Sequence, residues 1–184
     1  MPVVFDTGAL LRPRFQADEF TATQWDSSEV KAKFANGLSR FIAADFKESL
    51  FTKDLYRRLS MCWGHIAHYN REGFFSEFFL DQRGKVDFLE RTLAWYCFGD
   101  PEYTYSDVER AVNARLRSCN LLGAYRALRA AEVETAEREI LKRLQQKYEG
   151  GKAPQIAPTP ILHAGAPPKP NSRKASPEQQ AALF

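Results

Sequence analysis

The sequence predicts an all-α fold: a five- or six-helix globular domain over residues 1–149, with a short irregular N-terminal segment, then a disordered, basic, Pro-rich tail over residues 150–184. Three observations predict it. Apolar residues in the first 149 positions recur at intervals of three and four rather than in alternation. Capping residues stand just ahead of several of these runs. Seven of the ten prolines fall after residue 150, where aliphatic residues are few and a packed core is out of reach.

The elements follow in order. Val3, Val4 and Phe5 read as a short strand, Asp6-Thr7-Gly8 as an Asx-type turn, and the segment up to Gln24 as irregular. Asp26 and Glu29 have the spacing of a capping box, with Trp25 and Val30 as its staple. Val30, Phe34, Leu38, Phe41, Ile42 and Phe46 form the stripe of that first helix. Thr52 opens a second helix, with a Phe51–Tyr56 staple and a stripe running from Leu55 through Leu59, Cys62, Trp63 and Ile66 to Tyr69. Gly73 is expected to interrupt it. The aromatic block from Phe74 to Leu80 pairs its rings at i, i+4, which predicts a short helix, and Gly84 is expected to break the chain again. Val86, Leu89, Leu93 and Tyr96 or Cys97 mark the next helix, ended by Gly99 and Asp100-Pro101. Ser106-Asp107-Val108-Glu109 reads as a capping box that starts a helix carrying Val112, Leu116 and Cys119. Gly123 is expected to bend or end it. From about Ala124 to Tyr148 the chain reads as one long helix whose thin stripe suits an exposed distal half or a partner.

Charge is unevenly placed. Of 26 Lys and Arg, four lie in the tail (Lys152, Lys169, Arg173, Lys174) against the single acid Glu178, which leaves the body with 22 basic and 22 acidic residues. The net charge of +3 is therefore a property of the tail. A neutral body lacks the broad positive field of a non-specific DNA binder, though a local basic patch remains open to it. Cys62, Cys97 and Cys119 are odd in number and sit in apolar runs, and MPVVFDTGALLRPRF has no signal-peptide pattern. The expectation is three reduced thiols in a cytoplasmic protein, with no membrane association.

Four constellations are candidates for chemistry. Gln180-Ala181-Ala182-Leu183-Phe184 places two large apolar residues at the end of a tail that is otherwise poor in them. It resembles the short peptides by which bacterial replication and repair proteins hook onto the sliding clamp: a Gln, two variable positions, then Leu-Phe. The resemblance covers five residues. It implies that the Gln180 amide hydrogen-bonds at a pocket rim while Leu183 and Phe184 fill an apolar cleft; Ala181 departs from the larger aliphatic residue usual there.

Cys62, His65 and His68 are spaced i, i+3, i+6, which spreads them over about 120° of a helix. Zinc would need further ligands, and the remaining histidine, His163, lies in the tail, so packed, hydrogen-bonded histidines are expected and no metal or cofactor. Asp6-Thr7-Gly8 after Val-Val-Phe is similar to the first loop of retroviral-type aspartic proteases and to the opening strand of PIN-domain nucleases. The protease pattern requires an all-β fold, and the nuclease pattern requires further acids at strand ends, carried here by no strand pattern.

Finally, residues 110–131 hold five arginines and no acid. On a continuous helix Arg115, Arg126 and Arg129 would share a face that Arg57 and Arg58 could extend toward phosphates. The leading reading is a non-enzymatic interaction protein, an accessory factor of bacterial, plasmid or phage DNA metabolism whose tail docks a protein partner. The alternatives are a nucleic-acid-binding protein using the arginine face, and an enzyme using His65 and His68.

Overall fold

The structure, a computed structural model, describes residues 7–64 and 70–149, and among these it is all-α, with seven helices, two 3-10 turns and no strand. The count exceeds the expected five or six because the segment expected to be irregular contains α1, Thr7–Leu11. Thr7 and Gly8 thus open a helix rather than turn out of a strand. The expected strand at 3–5, Asp6 and the tail lie outside the described residues. The chain divides into two units, residues 1–143 and 144–184. The core described below belongs to the first; the described part of the second is the end of the last helix, residues 144–149.

Helix α2, Ser28–Ala43, follows Ser27 as its N-cap, and the Ser27 side chain and local backbone hold the Glu29 carboxyl below its ordinary value. Asp26 is not the cap. It accepts from the Tyr105 hydroxyl at 2.7 Å and pairs with Arg58 at 3.0 Å, a long-range partnership that outcompetes a local backbone N–H. The buried stripe is Phe34, Leu38, Phe41 and Ile42, whereas Val30 is only half-buried. Phe46 is buried as expected but lies beyond the helix. Asp45 and Phe46 both have positive φ, 54° and 58°, and the Phe46 N–H donates back to the Phe41 carbonyl. That conformation is costly for residues with a Cβ. Here it turns the Phe46 ring onto Phe79 and Phe41, at centroid distances of 4.9 and 5.3 Å, and leaves Asp45 to bind Lys85 and the Tyr125 hydroxyl.

Helix α3, Lys53–Cys62, is capped by Thr52, whose hydroxyl accepts from the Leu55 N–H, and the Phe51 and Tyr56 rings meet at 5.9 Å as a staple. It stops at Cys62, short of the expected stripe; Ile66 and Tyr69 lie outside the described residues. Gly73 and Gly84 do not break helices. Each is the third residue of one, α4 (Arg71–Phe78) and α5 (Gln82–Ala94), where its N–H is capped by Asn70 or Asp81. Gly84 is also a close approach: a Cβ there would lie 2.5 Å from the Glu77 carbonyl oxygen, so the two helices touch through backbone.

Helix α6, Ser106–Ser118, starts without the expected capping box. The Ser106 hydroxyl donates to the Gly99 carbonyl, and Glu109 turns inward instead of back to the helix start. Asn120, at φ +46°, separates α6 from α7, Leu121–Glu149. Gly123 sits inside the first turn of α7 under the Asn120 amide, which would lie 2.5 Å from a Cβ. Only Leu121 and Tyr125 of α7 are buried, and every residue from Ala131 to Glu149 is exposed.

The core is aromatic. Phe41, Phe46, Phe51, Phe74, Phe79 and Phe88 form one connected set of stacked and edge-to-face rings, with centroid distances from 4.9 to 6.4 Å. Such pairs contribute about 0.5–1.5 kcal/mol each beyond the area they bury. Within the buried interior also lies Lys31, wholly enclosed, whose ammonium reaches Asp107 at 3.1 Å and the carbonyls of Pro101 and Thr104.

Candidate functional site

A cleft of about 780 Å³ opens between the Arg12–Arg14 loop, α2, the 3-10 turn Glu48–Leu50 and the start of α3. Its floor is apolar, from Leu11, Val30, Phe34, Leu50 and Leu55. Its rim is basic. Arg12, Arg14, Lys33 and Arg40 line it, all four are exposed, and none makes an ion pair among the described residues. The lone carboxylate of the lining, Asp54, is already engaged by Arg57 at 3.3 Å and Arg58 at 3.4 Å.

The local sequence builds this geometry. Lys33, Gly37 and Arg40 fall on one side of α2, since seven residues is nearly two full turns, about 10.5 Å of rise. Gly37 separates the two cations, and the space above it is open: a Cβ there would meet nothing within 4 Å. Asn36 fixes the opposite wall. Its amide oxygen accepts from the Phe15 N–H and its amide nitrogen donates to the Phe15 carbonyl, which ties the Arg12–Arg14 loop to α2. Four unpaired cations around an open groove suit an extended polyanion, whose phosphates replace the missing counter-charges.

The arginines singled out from the sequence have different settings. Arg58 is buried; burial disfavours its charge, but the hydrogen bond to Asp26 and the neighbouring charges outweigh this and raise it above its ordinary value. Against burial, which raises it, the hydrogen bonds from Tyr105 and Arg58 and the Arg58 charge lower Asp26. Arg58 lines the back of the cleft as a structural cation rather than a free one. Arg57 is exposed and paired with Asp54. Arg115 lies over the Phe15 ring at 3.5 Å and donates to the Leu10 carbonyl, with burial lowering its pKa. Arg126 is engaged by Glu90 at 2.8 Å, while Arg129 is exposed with no ion pair among the described residues. The break at Cys119–Asn120 puts Arg115 on a different helix from Arg126 and Arg129, so the three do not share one helical face. The four rim cations escape sequence reasoning because they are scattered through an irregular loop and a helix, and no run of sequence signals them.

His65 and His68, and Gln180, Leu183 and Phe184, lie outside the described residues. Cys62 is buried, its thiol raised well above the ordinary value by burial first and by Glu109 and Asp107 second. Cys97 is half-buried and raised to about 11, again by burial and by Glu109. All three cysteines are free, and no group of His, Cys, Asp and Glu among the described residues is arranged to hold a metal ion. No described helix is long and apolar enough to cross a membrane. Comparison with known proteins finds no family model, no curated protein and no solved structure that matches this chain.

Proposed function

We propose that this chain is a non-enzymatic interaction protein, an accessory factor of bacterial, plasmid or phage DNA metabolism. Its helical body holds a nucleic-acid backbone in the basic cleft, and its tail docks a sliding clamp through Gln180, Leu183 and Phe184. The observation that carries the first part is the set of four exposed, unpaired cations around one groove. A cation already bonded to a protein carboxylate releases little counterion on meeting phosphate, whereas a free one contributes in full. The groove therefore replaces the face of Arg57, Arg58, Arg115, Arg126 and Arg129 as the nucleic-acid surface. The second part rests on the Gln-x-x-Leu-Phe pattern alone.

Fluorescence anisotropy of a labelled DNA duplex, titrated with the full chain over a range of salt, tests the cleft. Arg14→Glu/Arg40→Glu should weaken binding and reduce the slope of log K against log[salt] by about 1.8, the contribution of two phosphate contacts. Arg126→Glu/Arg129→Glu should leave both almost unchanged. Absent or salt-insensitive binding rules the reading out, and loss through the second pair alone moves the site to α7. For the tail, the full chain should bind an immobilised bacterial sliding clamp saturably, and Leu183→Ala/Phe184→Ala should abolish it. Equal binding by that variant dismisses the docking peptide.

A further inference from the structure

A second pocket, of about 250 Å³, lies between the Thr23–Asp26 loop, the end of α3, the segment from Trp95 to Tyr105, and α6. Its rim is made of large apolar side chains that no packing requirement explains: Trp25, Met61, Phe98 and Tyr103 are all exposed, Trp25 by 71%. Its inner wall holds Tyr105, Cys62 and the carboxylates of Asp26 and Glu109. No Lys or Arg lines it.

The two carboxylates differ. Asp26 is neutralised by Arg58 at 3.0 Å. Glu109 is 6% exposed and has no cationic side chain within ion-pair distance among the described residues. It is held by neutral donors, Cys97 and Trp95, with Arg110 acting on it through space and forming no ion pair. The pocket thus presents aromatic rings around one acid that lacks an ion pair among the described residues. Aromatic faces attract alkylammonium ions through their quadrupole, and an ammonium carrying methyl groups loses little hydration on entering. An anionic ligand would meet a like charge there, with no Lys or Arg in the lining to offset it.

We propose that this pocket is a binding site for a small alkylammonium ion, with Trp25, Phe98 and Tyr103 closing around the methyl groups and Glu109 supplying the counter-charge.

Tryptophan fluorescence gives a direct readout, because Trp25 and Trp95, two of the three tryptophans, line the pocket. The full chain is titrated at pH 8 with tetramethylammonium chloride, sodium chloride serving as the ionic-strength control. At that pH the Glu109 carboxyl, raised to about 7 chiefly by burial, is charged. The expected result is a saturable change absent with sodium. Choline should reproduce it, and 3,3-dimethylbutan-1-ol, the same shape without charge, should not. Glu109→Gln, which removes the counter-charge, and Phe98→Ala, which truncates the rim, should each weaken choline binding about tenfold, the range of a desolvated cation–π contact. Phe98 is exposed, so its truncation spares the fold and keeps the test valid if Glu109→Gln is unstable. A trimethyllysine peptide that competes with choline identifies a protein-borne cation, and one that does not identifies a free one; either result requires the same pocket. No saturable response to tetramethylammonium, or equal binding of the neutral alcohol, overturns the proposal.

Discussion

Lys31 shows how much a single buried charge can organise. Its ammonium ties α2 to the Pro101–Thr104 turn and to Asp107 at the start of α6, contacts that span 70 to 76 positions of the chain. Removing one partner of a buried ion pair leaves the other uncompensated, at a cost of about 3–5 kcal/mol. Lys31→Met should therefore lower the urea-unfolding free energy by about that amount, and a loss well under 1 kcal/mol would make the pair a bystander. Glu109 carries a pH signature. Burial first, and Asp107 second, raise its folded carboxyl from the ordinary 4.5 to about 7 against the opposing hydrogen bonds of Cys97 and Trp95. Between those values the folded chain binds more protons than the unfolded one, so stability falls as pH rises through that window. Glu109→Gln should gain on the parent in thermal unfolding above pH 7 and not at pH 4; parallel curves would remove Glu109 as the source. Two glycines make an opposed pair. Gly37→Ala has open space and should stabilise α2 by about 0.5–1 kcal/mol. Gly84→Ala meets the Glu77 carbonyl oxygen and should destabilise despite its better helix propensity.

At the scale of elements, capping separates what is local from what is not. Thr52 caps α3 as its sequence predicts, and Asn70 and Asp81 cap helices whose glycines had suggested interruption. Such caps contribute about 1 kcal/mol each, so a competing partner worth more displaces them. That happened at Asp26, taken by Arg58 and Tyr105, and at Glu109, held by Cys97 and Trp95. Helix α7 is the other extreme. Beyond Ala131 its residues are exposed, and the support recorded there is i, i+4 ion pairs such as Glu134–Arg138 and Glu139–Arg143. Exposed pairs of that kind contribute about 0.3–0.5 kcal/mol each. An unpacked helix of this sort opens readily. Hydrogen exchange should find amides of residues 131–149 exchanging far faster than those of α2; protection equal to α2 would show that α7 is covered in solution.

Across the molecule, charge placement matters more than total charge. The body carries as many acids as bases, yet four free cations gather around one cleft and two carboxylates around one aromatic pocket. With four contacts available, the salt slope for duplex DNA should be no steeper than about −3.6; a much steeper one would require cations elsewhere. Much of this body was legible in advance. Its helical class, the stripe of α2, that of α3 as far as Cys62, the short helix of the aromatic block and the long last helix all follow from apolar spacing. Such spacing reports a helix's own burial face and depends on few other residues. The two pockets were not legible. Arg12, Arg14, Lys33 and Arg40 belong to no motif, and Trp25, Phe98 and Glu109 are separated by up to 84 positions in the chain. Of the arginines singled out from the sequence, Arg58, Arg57, Arg126 and Arg115 are spent on Asp26, Asp54, Glu90 and the Phe15 ring respectively. The sequence by itself determined which segments are helices and which faces of them are apolar, because those depend on neighbours three and four residues away. Only the tertiary structure decided which charges are neutralised and which stay free, because a salt bridge pairs residues by distance in space, and that distance is set by how the helices pack.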